Sequence, residues 1–201
     1  MDHYSDNFDE NGYPLNDYGN DGENAGSEIE NIDDVSRLSN NTLAFIALAN
    51  EYCAAVENCQ GTDTDSFVSA MLRLLPRIYI SVLDIKANMM TGEGEYIPPV
   101  LTEENYEAVR SNIASLLGEN DTFLEVFEED MKYSDTPISA TISESLADLF
   151  QVLYDIVENC REAPIYLINE MMAGAKETFA GYWSQTLVNV LRALNNLKYN
   201  S

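Results

Sequence analysis

Histidine is almost absent from this chain of 201 residues; the one present is His3, beside the N-terminus. Its scarcity removes the base from Ser-His-Asp and Cys-His nucleophilic systems and the ligands from Cys/His zinc sites. A di-iron bundle is excluded too, since it needs Glu-x-x-His on two helices. Cysteine is sparse and odd in number: Cys53, Cys59 and Cys160 offer no disulfide framework and read as small buried hydrophobes in a reducing cytosol. Positive charge is scarce, with 10 Lys and Arg against 35 Asp and Glu, a net charge of −25. Nucleic-acid binding needs clustered Lys and Arg, so this composition opposes it, and it opposes an anionic membrane equally. No Gly-x-x-x-x-Gly-Lys phosphate loop occurs, and no Gly-x-Gly-x-x-Gly follows a strand. There is no basic-then-apolar start of a signal peptide and no run of about 18 apolar residues. The expected location is the cytoplasm.

What is present divides into two parts. Residues 1–38 are expected to be a disordered acidic tail. Residues 1–36 hold 11 acids and no Lys or Arg, with no apolar period to offset chain entropy. Tyr4, Phe8, Tyr13 and Tyr18 stand between those acids, as in a docking segment. Asp17, Gly19, Asp21, Gly22 and Glu28 fall on positions of a calcium-loop template, but Gly19 lacks the oxygen needed there and no helical pattern flanks the stretch. Chance matching in an Asp/Gly-rich stretch is the better explanation.

Residues 39–199 read as a single all-α domain, a bundle of five to seven helices. Ser39 or Asn40 caps a helix over about 41–59 whose inner stripe is Phe45, Leu48, Ala49, Tyr52, Cys53 and Val56. Asp63 or Thr64 starts the next, with Phe67, Met71, Leu74, Leu75, Ile78 and Val82 inward. Pro76 inside that pattern predicts a kink or two abutting helices. A loop over 91–99 precedes Thr102, which caps a helix ending at Gly118. Asp121 is expected to cap a short helix burying Phe123, Leu124, Phe127 and Met131, with a turn over 134–137. Ser139 or Ser143 then begins a helix running to about Arg161.

Pro164 opens the longest periodic stretch, with Ile168, Met172, Ala175, Phe179, Tyr182, Trp183, Thr186, Val190, Leu194 and Leu197 at spacings of three and four. It holds the single Trp, and the other helices are expected to pack around it. Unbroken, it would be about 52 Å long, more than a compact domain of this size accommodates. A kink is therefore expected near Gly181.

The chemistry left rests on carboxylates. Glu144, Asp148, Gln151 and Asp155 lie on one stripe of a helix; Glu51 with Glu57, and Glu125 with Glu128, Glu129 and Asp130, form other acidic faces. Facing carboxylates could hold Mg²⁺ or Mn²⁺, although a solvated helix surface is the simpler reading, so no catalytic, cofactor-binding or metal residue is assigned. Tyr182 and Trp183, with Gln185 and Asn189, are candidates for a pocket lining, and Arg77 and Arg192 for buried ion pairs.

Five long stretches taken together, LANEYCAAVEN (48–58), LLPRIYISVLDIK (74–86), LTEENYEAVR (101–110), VFEEDMKYSDTPISATISESLADLFQVLYDIV (126–157) and YWSQTLVNVLRAL (182–194), resemble a bacterial family of small acidic helical proteins known only as a domain of unknown function and found in Bacteroidetes among other groups. The resemblance covers about residues 40–198. It implies a cytoplasmic all-α protein and carries no activity onto any residue.

The charge points to a non-enzymatic interaction module for a protein partner with basic surface, including an anion mimic or immunity-type inhibitor. The alternative is a carboxylate-metal hydrolase or small-ligand bundle. The width of the last apolar face also leaves room for a homodimer.

Overall fold

The computed structural model describes residues 37–86, 96–125 and 138–200. The acidic tail with His3 and the calcium template, the Gly-rich loop over 91–95, Phe127, Met131 and the turn over 134–137 lie outside the described residues. Val35–Ser201 forms one compact unit. Its described elements are α1 (Asn40–Glu57), α2 (Thr64–Asp84), α3 (Glu103–Leu117), β1 (Thr122–Leu124), β2 (Ser139–Thr141), α4 (Ile142–Cys160), α5 (Ile165–Thr178) and α6 (Ser184–Tyr199). The fold is an all-α bundle, and a five-residue π turn over Phe179–Trp183 joins α5 to α6 in one long C-terminal rod.

The helix starts follow local chemistry. Ser39, Asp63 and Thr102 each accept a hydrogen bond from a backbone N–H three residues on, at 3.1, 2.9 and 3.3 Å, and so satisfy a donor that α1, α2 or α3 would leave open. Gly118 ends α3 at φ 57°, a conformation that a Cβ would strain. The inner stripes expected for α1 and α2 are buried throughout. Pro76 does not divide α2, which is helical from Thr64 to Asp84; buried residues on both sides of the proline, Met71, Leu74 and Leu75 before it and Ile78 and Val82 after it, hold it against α1 and α6. Among the described residues, α2 is the one helix long and apolar enough, by composition alone, to cross a membrane. It has no glycine at its C-terminus. Instead the Asn41 amide donates to the Asp84 carbonyl at 2.7 Å, and the Lys176 ammonium to that of Ile85 at 2.7 Å. A cation at that end also suits the helix dipole.

The centre of the bundle is α4, not the C-terminal rod. It packs on α1, α3, α5 and α6 and buries residues on most of its circumference, from Ile142 to Cys160. Tyr52 of α1 donates its hydroxyl to the Leu146 carbonyl of α4 at 2.8 Å, inside the core. The cap of α4 is Thr141, whose hydroxyl accepts from the Glu144 N–H; neither Ser139 nor Ser143 fills that place. The helix expected to follow Asp121 is replaced over 122–124 by β1, antiparallel to β2 with Phe123 opposite Ala140. Asp121 caps nothing of its own. Its carboxylate turns onto Ser143, accepting the backbone N–H at 2.7 Å and the hydroxyl at 2.6 Å.

The break in the C-terminal rod follows from its buried residues. Ala175, Phe179, Trp183 and Leu187 are all buried at successive spacings of four. At 3.6 residues per turn each such step over-rotates by about 40°, about 120° after three. One inserted residue in a π turn removes about 100° of that drift. The same rotation carries Tyr182, expected on the inner face, out to solvent at 58% exposure. Gly181 sits in the turn, but a Cβ there would meet nothing within 4 Å, so the phase of the buried residues and not the glycine sets the break.

Candidate functional site

A cleft of about 410 Å³ opens where α4, the end of α5, the π turn and the extended segment 96–101 meet. Asp155 builds one wall. Its Oδ1 accepts the backbone N–H groups of Val100 and Leu101 at 2.7 and 2.8 Å, while the Asn159 amide donates to the Pro98 carbonyl at 2.9 Å. These bonds strap the segment onto α4 and set Tyr96 and Ile97 on the cleft. The opposite side is Glu177 and Thr178 from the end of α5, then Tyr182 and Trp183 from the π turn.

Trp183 is the floor. It is 1% exposed, its ring meets that of Phe179 edge-on at 4.4 Å, and Phe179 meets Tyr79 of α2 in the same manner at 5.1 Å. The indole N–H donates to the Thr178 hydroxyl at 3.3 Å, which in turn donates to the Ala175 carbonyl. The polar atom of the ring is thereby satisfied without leaving the core. The sides of the cleft are therefore aromatic, with two carboxylates, Asp155 and Glu177, on its lining. Lys176, the nearest base in sequence, is turned away onto the end of α2.

The four polar and aromatic residues expected together near the π turn are separated. Tyr182 and Trp183 line the cleft, whereas Asn189 donates to the Glu125 carboxylate at 2.9 Å and Gln185 is exposed. Neither arginine is buried in an ion pair. Arg77 meets Glu51 at 3.6 Å with both side chains more than half exposed, and Arg192 is exposed on a second cleft beside β1. The buried carboxylates of Asp121 and Asp155 are occupied by backbone N–H groups instead.

The acidic stripe of α4 spreads over neighbouring elements. Asp148 accepts the Tyr106 hydroxyl of α3 at 2.7 Å. Burial, that bond and the charges of Asp148, Glu144 and Glu107 push the Tyr106 phenol well up. The Tyr182 phenol is raised by burial and then by Asp148 and Glu144. Three elements thus share one negative field, within which Arg110 is held by Glu107 at 2.6 Å. Among the described residues no three His, Cys, Asp or Glu side chains gather as a metal site; Asp148 and Asp155 of the stripe instead accept hydrogen bonds from Tyr106 and from segment 96–101.

On α1 the Cys53 thiol is pushed up to about 12 by burial and by Glu57 and Glu158, and at the end of α4 burial lifts Cys160 to about 11. All three thiols are free and buried. A raised value means that the folded chain holds the proton more tightly. The stability this contributes is complete below the ordinary thiol value of 9.0 and is lost as pH rises from there toward 12. At pH 10 Cys53 alone removes on the order of 1 kcal/mol, and the raised phenols act in the same direction. Urea melts at pH 8 and pH 10 should differ by more than that; equal stabilities would mean that these groups titrate as they do in water.

Residues 36–200 match the family described as a domain of unknown function, DUF5063. No curated protein matches the chain. Among solved structures the chain is similar to protein BF1032 from Bacteroides fragilis, at 32% identity and a TM-score of 0.70, over 81% of this chain and 95% of that one.

Proposed function

The chain belongs to the DUF5063 family, a domain of unknown function, and on that premise we propose that it is a non-enzymatic interaction module whose acidic face binds a partner with basic surface. The observation that supports this is the field common to α3, α4 and the π turn. The same carboxylates, Glu144 and Asp148, bear on both Tyr106 and Tyr182. Such a patch speeds the approach of a basic surface and rejects acidic ones. The rings of Tyr106 and Tyr182 beside those carboxylates add contact area with little side-chain entropy to lose. An anion mimic that occupies a nucleic-acid-binding surface is the special case in which DNA competes for the partner.

Capture from lysate at 50 mM and at 0.5 M NaCl tests the reading when paired with a charge-reversed face, Glu144→Lys with Gln151→Lys. Both positions are exposed, so the fold is retained. The expected result is a partner retained at low salt, released at high salt and lost with the double variant. Absence of any salt-sensitive partner, or one indifferent to the reversal, overturns it.

A further inference from the structure

We propose that the cleft between segment 96–101, α4 and the π turn receives an arginine side chain of the basic partner; this rests on the reading of the chain as an acidic interaction module. The ligand class follows from the lining. Tyr96 and Tyr182 are 74% and 58% exposed, two rings left open on one concavity. A planar guanidinium stacks on such faces and is less strongly hydrated than an ammonium.

The second observation is Asp155, which lines the cleft and is only 9% exposed. Its Oδ1 holds both backbone N–H groups of the strap, and Oδ2 accepts nothing from the described residues. The strap fixes that carboxylate in place and leaves Oδ2 available to a donor from outside. Glu177, exposed on the same lining and without an ion pair among the described residues, supplies a second carboxylate. Two acids and two open rings around about 410 Å³, with Lys176 drawn off to the carbonyl of Ile85, leave a space matched to one delocalised cation and its aliphatic stem.

Trp183 is the single tryptophan and the cleft floor, so its emission reports occupancy directly. The full chain is titrated with Nα-acetyl-arginine amide and, separately, with Nα-acetyl-citrulline amide, which keeps the shape and loses the charge, at matched ionic strength. The expected result is a saturable emission change with the arginine amide and binding at least ten-fold weaker with the citrulline amide. Glu177→Gln, at an exposed position, should weaken the arginine amide at least five-fold without changing Tm. No saturable change up to 50 mM, equal binding of citrulline, or an unchanged affinity in Glu177→Gln overturns the proposal. A silent cleft in a chain that still retains a salt-sensitive partner removes this site alone and leaves the acidic face standing.

Discussion

Replacing Trp183 with alanine should cost about 3–5 kcal/mol, the largest loss expected from any single change in the bundle. The ring is buried at the joint between α5 and α6, where the π turn exists to keep both Phe179 and Trp183 inside. Removing it leaves a cavity that neighbours on α4 and segment 96–101 cannot close without releasing the strap. It also deprives Phe179 of its edge-on partner at 4.4 Å. For a domain of this size a loss of that order lowers Tm by about 10 °C or more. Far-UV circular dichroism during thermal and urea unfolding measures it, since the variant has no tryptophan to follow. Trp183→Phe keeps a ring and forfeits the bond to Thr178, so it should lose about 1–2 kcal/mol. An alanine variant within 1 kcal/mol of the parent would show that the floor of the cleft is not part of the core.

The second large effect is at Asp121. Asp121→Ala should destabilise the chain by about 3 kcal/mol, because two hydrogen bonds to a carboxylate vanish and the Ser143 N–H is left buried without an acceptor. The position magnifies the loss. Ser143 lies in the first turn of α4, where N–H groups have no partner within the helix and negative charge suits the dipole. Asp121→Asn retains one carbonyl oxygen for the N–H and should lose about half as much. Urea unfolding of the two variants beside the parent reads the difference. Equal losses would mean that packing around the 3₁₀ turn Gly118–Asp121, and not the acceptor oxygens, is what Asp121 supplies.

Asp121 also shows where reading the chain in order stops being sufficient. Its sequence context is that of a local cap: an acid two residues before an apolar pair. The bond it makes is to a residue 22 positions later, and that alternative leaves 122–124 free to pair as a strand. Asp155 is a similar case. It sits on an acidic helix stripe that reads as solvated surface, yet it is buried because segment 96–101, which precedes it by more than 50 positions, brings two N–H groups to it. By contrast Ser39, Asp63, Thr102 and Gly118 act on residues within a turn of themselves, and each is readable from its own neighbourhood. The π turn falls between these cases: three steps of four in the buried pattern contain it, but it is invisible until Tyr182 is known to be outside.

The sequence alone determined the class of object. Helical periods settled which residues face inward in α1 and α2, and the near absence of histidine and of clustered bases removed whole families of chemistry. Both are local or compositional properties, carried by each segment whatever surrounds it. Tertiary structure alone decided that α4 is the centre, that Asp121 and Asp155 are anchors and not surface acids, and that aromatic rings and carboxylates from distant segments converge on one cleft. Those outcomes depend on which apolar face meets which, and the free energy of that choice belongs to pairs of elements and is written in neither member by itself.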